Sequence, residues 1–249
     1  MQYGVQLYSL RSLPRDEHVP TVAVAGFDGV ELVGLDSIDA EGLAVVAAHV
    51  ALDDLEADPT EAVERCRANG TETVVVPSVD GTAFAADAVD ETAERLDALA
   101  GRVADAGGRL LYHNHEFEFG TGSGDETEQS AGTGETPYDK LVAATTRLAF
   151  ELDVGWAAAA GADPVALVDR LGDRVPILHL KDVRLDREAP RGARPVDLGE
   201  GDVDLRGCLR AARRTGVEWV VFEHDAPDDP GASVRDAATW LDIESSGPR

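Results

Sequence analysis

The chain repeats one pattern along most of its length: a short apolar run rich in β-branched residues, followed by a longer stretch with helical spacing. Runs such as Thr73–Pro77 do not alternate with polar residues, which is typical of strands buried on both faces of a parallel sheet. The clearest helical stretch runs from Ala85 to Val103, with apolar residues three and four positions apart on one face. Asp58-Pro59 and Asp163-Pro164 each predict a helix start, with Asp as the capping residue.

This pattern predicts eight strands. They are Gly4–Tyr8, Gly29–Val33, His49–Leu52, Thr73–Pro77, Arg109–His115, Ala149–Val154, Pro176–Leu180 and Trp219–Glu223. Eight strand–helix units in 249 residues favour a closed barrel, because an open doubly wound sheet usually needs fewer strands. The sequence therefore predicts an α/β fold, a (β/α)8 TIM barrel forming a single domain over residues 1–249.

Two segments interrupt the pattern. Gly120–Pro137 follows the fifth predicted strand, contains no large apolar residue and predicts a flexible acidic insertion. Lys181–Asp204 follows the seventh strand and carries four arginines. Both segments follow strands, on the side of the barrel where enzymes of this architecture hold their active sites.

The formal net charge is −26, which argues against a nucleic-acid partner or an anionic membrane surface. Only Lys140 and Lys181 among the 22 basic residues are lysines. We interpret this composition as halophilic, because molar salt shortens the Debye length to about 3 Å and so makes the repulsion among the acidic residues tolerable.

Cys66 and Cys208 predict no disulfide dependence, and neither a leader nor an apolar run of membrane-spanning length is evident. We expect a cytoplasmic protein with a small-molecule substrate, and the sequence leaves a homo-oligomer open.

Polar side chains follow four successive predicted strands. The residues are Glu118, Asp153, His179 and Glu223. Since the carboxyl ends of barrel strands meet at one rim, we expect these groups to lie close together. Three carboxylates and an imidazole suit one divalent metal ion, Mn²⁺, Mg²⁺, Co²⁺ or Zn²⁺. An isolated Asp at this position would more often cap the following helix, and an isolated His would more often be structural.

Two histidines, His113 and His115, are two positions apart in YHNHEFEF. A regular strand would point both to the same face. If that face is the barrel interior, both imidazoles reach the mouth of the pocket, while Glu118 lies just beyond on the loop.

These motifs, together with GVQLYSLR, DGVEL, ELDVGWAAAAGADPV, LHLKD, LGEGDVD and FEHDAPDDP, resemble the xylose isomerase-like sugar phosphate isomerase/epimerase family of TIM barrels. The resemblance extends over nearly the whole chain. It implies a divalent metal held by Glu118, Asp153, His179 and Glu223, with either Glu118 or His113 as the ligand from the fifth strand. Glu118 and Glu223 then correspond to the glutamates that transfer protons in resembling epimerases.

The resemblance also suggests substrate-binding residues. They are Glu31, His49, His113, His115, Trp156 and Lys181. Trp156 stands where several epimerases and nucleases of the family carry a histidine, and it offers either a face for a sugar ring or a packing side chain beneath the next helix. Glu31 and His49 have capping or core roles as alternatives. Lys181 is the better-supported candidate, because a rare lysine at a strand end is not needed for solubility.

The chemistry implied is removal of a proton from carbon next to a carbonyl, through an enediolate. We expect a metal-dependent sugar isomerase or epimerase. The alternative is a lyase or dehydratase acting on a keto-inositol or 3-keto-sugar. A non-catalytic sugar-binding barrel and an apurinic-site endonuclease are further readings, and the second conflicts with the acidic charge.

Overall fold

Strands and helices alternate along most of the chain in a computed structural model, which describes residues 1–120 and 135–245. The strands are β1 (Gln2–Gln6), β2 (Gly29–Val33), β3 (Ala44–His49), β4 (Thr73–Val76), β5 (Arg109–His113), β6 (Ala149–Asp153), β7 (Ile177–Leu180), β8 (Asp182–Leu185), β9 (Ala193–Val196) and β10 (Trp219–Phe222). The helices are α1 (Arg15–Ala25), α2 (Leu52–Ala57), α3 (Pro59–Ala68), α4 (Val89–Asp105), α5 (Pro137–Ala144), α6 (Val154–Ala159), α7 (Pro164–Leu171), α8 (Leu205–Thr215) and α9 (Pro230–Ser245).

Eight of these strands close into a parallel barrel in the order β1-β10-β7-β6-β5-β4-β3-β2. The predicted (β/α)8 architecture is therefore confirmed. Between β2 and β3 the chain makes a turn where a regular barrel would place a helix. The remaining strands, β8 and β9, form an antiparallel hairpin after β7, inside the segment that the sequence marked only as an arginine-rich interruption.

The predicted boundaries were wrong by two residues or more at three strands, and one of these is the fifth, which ends at His113 rather than His115. The first strand begins and ends two residues earlier than predicted, and the third is Ala44–His49, whereas the prediction began at His49. The sequence AVVAAH contains three small alanines, which weakened its apolar signal. The capping predictions are confirmed, because the Asp58 and Asp163 carboxylates accept backbone N–H bonds in the first turns of α3 and α7.

Alternate residues along the strands divide between two apolar layers. Outward-facing side chains such as Tyr112, Phe150 and Phe222 pack against the helices in the larger core. A smaller, separate cluster closes the floor of the barrel interior, and its members are Val46, Ala47, Val75, Leu111, Ala149, Ile177 and Val221. Residues two positions further along the same strands therefore point into the interior above this floor.

The acidic insertion, the cysteines and the helix lengths can be compared with their predictions. Most of the predicted flexible insertion, residues 121–134, lies outside the described residues, and its last residue, Pro137, begins α5. Both cysteines are free and buried. Across the described ranges, every helix is too short or too polar to traverse a lipid bilayer.

Candidate metal centre and active site

Polar side chains fill the barrel interior above its apolar floor. On β6, Ala149 lies in the floor, Glu151 above it and Asp153 at the rim, because side chains two apart share a face. The same step leads from Ile177 to His179 on β7. The strand period thus builds a buried polar site at the carboxyl ends of the strands.

Four side chains come together at this rim. They are His113, Asp153, His179 and Glu223, whose ligand atoms all lie within 4.8 Å of one another. His113 Nε2 is 3.9 Å from Asp153 Oδ2, and His179 Nδ1 is 2.9 Å from Glu223 Oε2. The structure therefore brings together Asp153, His179 and Glu223, as predicted from their strand ends, with His113 as the contribution of β5.

The remaining nitrogen of each imidazole contacts a further carboxylate. His113 Nδ1 lies 2.8 Å from Glu151 Oε2, and His179 Nε2 lies 2.6 Å from Glu31 Oε2. Metal-binding histidines usually have their second nitrogen held in this way, since the carboxylate fixes the ring and increases its basicity. Glu31 is itself bonded by the Gln6 side chain at 2.9 Å.

A second group of donors overlaps the first deeper in the barrel: His49, His113, Glu151 and His179. Here Glu151 Oε2 already lies 2.8 Å from a nitrogen of His49 and of His113, and 3.1 Å from His179 Nε2. One carboxylate oxygen thus connects three imidazoles. We assign Glu151 to holding these rings rather than to the metal. A metal bound at the rim would leave His113 its contact with Glu151 and His179 its contact with Glu31.

His49 reaches the interior because β3 carries an extra residue. The pairing of β2 with β3 changes register between Val30, which pairs with Val45, and Leu32, which pairs with Ala48. Two steps on β2 therefore match three on β3, as in a β-bulge, which reverses the alternation beyond it. The half-buried His49 ring then stacks on His179, with centroids 5.7 Å apart.

The donor set fits a divalent metal. Asp153 divides its two oxygens between roles: Oδ1 accepts the Trp156 backbone N–H at 2.8 Å and caps α6, whereas Oδ2 faces the rim. Asp153 Oδ2 is buried and receives no hydrogen bond of regular geometry from any described residue, although Lys181 Nζ is 3.0 Å away. An oxygen in this state, beside two imidazoles and a second carboxylate, is suited to Mn²⁺, Co²⁺ or Zn²⁺.

Mutual electrostatic interactions shift the protonation of the site. Burial, reinforced by the Glu151 carboxylate, raises the pKa of Glu31 to about 7. Burial alone would lower the pKa of His179, but the carboxylates of Glu151 and Glu31 hold it well above its usual value. Burial opposes ionisation of Glu223, yet the Lys181 ammonium and His179 keep its pKa well below the usual range. A metal that took His179 as a ligand would displace a proton.

Glu118 does not join this group, which corrects its prediction as a metal ligand and proton-transfer residue. It is buried on the helix side of β5, where Oε1 accepts the Tyr112 hydroxyl at 2.6 Å and Oε2 the backbone N–H of His115 at 2.8 Å. Tyr112 faces outward because it alternates with the inward-facing His113. Neither group of donors among the described residues includes Glu118.

His115 and Trp156 lie beside the rim group: the His115 ring centroid is 5.1 Å from that of His113, and the Trp156 ring centroid is 4.6 Å from Lys181 Nζ. The strand ends at His113, so His115 leaves the alternation, and its ring stacks on Phe117 with centroids 5.6 Å apart. Trp156 is buried, and the Arg191 guanidinium lies 3.4 Å from its ring centroid. A sugar would stack on that face only after Arg191 moved.

Three residues of the site were not identified in the sequence. Glu151 was detectable, since it lies two positions before Asp153 on one strand. Asp225, whose Oδ2 is 2.8 Å from Lys181 Nζ, follows a strand end and was hidden among neighbouring acids. Arg191 comes from the β8–β9 hairpin and pairs with Glu116, a contact that no local pattern indicates.

The fold and the site define a TIM barrel with a buried candidate metal centre at the carboxyl ends of its strands. The chain belongs to the xylose isomerase-like TIM barrel family, whose model matches residues 57–243. This confirms the family that the motifs resemble.

Two curated relatives show what kinds of proteins share this sequence. The rhizopine catabolism protein MocC of Rhizobium meliloti is 34% identical over 152 residues, covering 55% of this chain and 42% of MocC. An inosose dehydratase of Lacticaseibacillus casei is 27% identical over 185 residues, covering 67% of this chain and 58% of the dehydratase. The chain thus spans about half the length of the curated relatives it matches.

Solved structures share the fold at lower identity. A sugar phosphate isomerase/epimerase from Parabacteroides distasonis has a TM-score of 0.78 at 21% identity, covering 97% of this chain and 98% of the other. The probable 3-DHS dehydratase AsbF of Bacillus anthracis has a TM-score of 0.73 at 16% identity, covering 97% and 99%. An L-ribulose 3-epimerase has 0.68 at 15%, covering 98% and 94%. The family thus contains both isomerase/epimerase and dehydratase neighbours.

Proposed function

We propose that this protein is a divalent-metal-dependent enzyme that removes a proton from the carbon next to the carbonyl group of a sugar or sugar-derived ketone. The observation that carries this proposal is the convergence of Asp153, His179, Glu223 and His113 at the barrel rim. These four side chains would hold the metal. When bound, the cation would polarise the substrate's carbonyl oxygen and stabilise the negative charge that develops as the proton leaves.

Glu223 is the base in this proposal. Its carboxylate is held ionised by Lys181 and His179, against the effect of burial, so it is in the unprotonated form that a general base requires. The close contacts of Glu223 with His179 Nδ1 and with Lys181 Nζ both involve the same carboxylate oxygen, Oε2. Glu31 and Glu151 orient the two imidazoles, and Asp153 has one oxygen committed to the cap of α6.

The absence of Glu118 from the site bears on the type of reaction. Epimerisation with a separate carboxylate on each face of the substrate would need a second glutamate, and Glu118 bonds Tyr112 on the outer side of β5. An aldose–ketose isomerisation needs one base for the carbon-bound proton, which it takes from one carbon and returns to its neighbour on the same face, while the hydroxyl proton passes to the former carbonyl oxygen. We therefore place isomerisation first, with Glu223 making both transfers.

Dehydration is the second candidate, supported by the 27% identity to an inosose dehydratase over 185 residues. Such a reaction shares the first proton transfer but then expels a β-hydroxyl group. Formation of an unsaturated ketone that absorbs in the ultraviolet would identify it. Isomerisation or epimerisation yields no such product.

The test is proton exchange in D2O, followed by NMR with a panel of aldoses, ketoses and inososes in the presence of Mn²⁺. We expect wild-type protein to exchange the proton next to the carbonyl of at least one class, and Glu223→Gln to exchange it about 10²–10⁴-fold more slowly. Glu218→Gln is the matched control, because Glu218 precedes the same strand at the opposite end and pairs with Arg109. Wild-type rates in Glu223→Gln would refute the assignment.

A further inference from the structure

Lys181 is a buried lysine whose ammonium group contacts three carboxylates. Its Nζ lies 3.0 Å from Asp153 Oδ2, 3.1 Å from Glu223 Oε2 and 2.8 Å from Asp225 Oδ2, and its side chain is 1% exposed. Two of these three partners belong to the rim group of candidate metal ligands. The positively charged Lys181 ammonium therefore contacts the same carboxylates, Asp153 and Glu223, that a divalent metal would use.

The surroundings of this side chain are shaped to receive it. A Cβ at Gly155 would lie 2.8 Å from Lys181 Cγ and 2.9 Å from the Lys181 carbonyl oxygen, which is too close, so glycine alone leaves room for the stem. The Trp156 ring lies beneath the ammonium, with its centroid 4.6 Å from Nζ. These contacts direct Nζ to one point between the three carboxylates.

Asp225 differs from the other two carboxylates. It is not a member of either group of donors found among the described side chains, it is 24% exposed, and its backbone carbonyl accepts a hydrogen bond from Arg11. Asp225 thus offers Lys181 a partner that a metal at the rim would not take.

We propose that Lys181 is a built-in competitor for the metal: it neutralises Asp153 and Glu223 in the metal-free protein, yields them to a divalent cation while remaining paired with Asp225, and so sets the metal affinity. This inference rests on the proposed function, because it assumes that the rim group binds a metal.

The sign of the effect follows from two contributions. In the metal-free protein the ammonium stabilises two buried carboxylates, whose negative charge would otherwise be balanced on this side only by His179 beside Glu223. In the metal-bound protein the same ammonium repels the divalent cation across a few ångströms of low-dielectric interior. Removing the positive charge therefore destabilises the metal-free state and relieves repulsion in the bound state, and both contributions tighten metal binding.

The experiment measures Mn²⁺ affinity by calorimetry, with thermal unfolding of the same samples with and without Mn²⁺. Lys181→Met should bind Mn²⁺ roughly tenfold or more tightly than wild type, unfold at a lower temperature without metal and show a larger rise in that temperature on adding Mn²⁺. Lys140→Met, at the chain's other lysine on α5, is the matched control and should leave all three values unchanged.

Asp225→Asn supplies an independent variant with the opposite expectation. It should weaken Mn²⁺ binding, because Lys181 then loses the partner that receives it when the metal binds. In the double variant Lys181→Met/Asp225→Asn, the effect of the Asp225 change should largely disappear, since there is no ammonium to receive. A general electrostatic role of Asp225 would instead weaken binding equally in both backgrounds.

The outcomes separate this inference from the function beneath it. Wild-type protein that binds Mn²⁺, with Lys181→Met binding equally or more weakly, overturns the competitor role alone. Weakening by Asp225→Asn that is the same with and without Lys181 also overturns it. No Mn²⁺ binding by wild type or by Lys181→Met overturns the proposed metal-dependent function together with this inference.

Discussion

Replacing Glu118 with Gln tests where the structure places this residue. Burial raises the pKa of Glu118 to about 7 from an ordinary value of 4.5, even though the Tyr112 hydroxyl and the backbone N–H of His115 favour the ionised form. Since its pKa is raised in the folded state, the stability attributable to its protonated form is fully present below the unfolded pKa and is lost as the pH rises through about 7.

The size of this loss follows from the two pKa values. Between about pH 5 and pH 8, ionisation of Glu118 should reduce the free energy of unfolding by about 2.5 kcal/mol. Gln carries no charge and preserves the shape, but one of the two hydrogen bonds to Tyr112 and His115 loses its proper donor–acceptor match, at a cost of about 1–2 kcal/mol at either pH. The variant should therefore be less stable than wild type near pH 5 and equally or more stable near pH 8.

Urea unfolding of both proteins at the two pH values measures the difference, and Mn²⁺ affinity is measured on the same samples. Other titrating groups are common to both proteins and cancel in the comparison. We expect the stability difference to change by about 2.5 kcal/mol between the two conditions, with unaltered Mn²⁺ binding. A pH-independent difference would refute the buried, protonatable carboxyl, and loss of Mn²⁺ binding would return Glu118 to the metal centre.

Further predictions concern packing and charge. Gly155→Ala should lower stability by about 1–3 kcal/mol in chemical unfolding, because its methyl group would overlap Lys181, whereas Gly81→Ala, where a Cβ has space, should not; equal effects would contradict the packing. Arg191→Ala should shift tryptophan fluorescence to the red by uncovering Trp156, and an unchanged spectrum would count against this contact. Because the net charge is −26, raising KCl from about 0.1 M to about 2 M should raise the thermal midpoint; a salt-independent midpoint would refute the halophilic interpretation.

The period of the sequence predicted the barrel because eight buried strands carry their own apolar signal. It also predicted three members of the rim group, since Asp153, His179 and Glu223 each follow an apolar run directly and parallel strands bring such ends to one rim. These predictions needed only the local apolar pattern and the rule that the carboxyl ends of barrel strands meet at one rim. The third strand, Ala44–His49, is rich in small residues and gave a weaker apolar signal, so the prediction placed it too late in the chain.

The errors at the site come from the point where each strand stops. Had β5 continued beyond His113, His115 would have faced the interior; the strand ends there, and the next turn carries Glu118 to the outer side beside Tyr112. The inward direction of His49 depends on an extra residue in β3, and the cover that Arg191 forms over Trp156 depends on a hairpin. Such features are set by pairing between distant segments, so a local pattern does not contain them.

The location of the metal is the central claim, and a crystal grown with Mn²⁺ and measured for anomalous scattering tests it most directly. The account predicts one anomalous peak per chain, within coordination distance of Asp153, His179 and Glu223, with His113 as the ligand from β5. A peak centred on His49 and Glu151, or no peak at Mn²⁺ concentrations that saturate binding in solution, would contradict it.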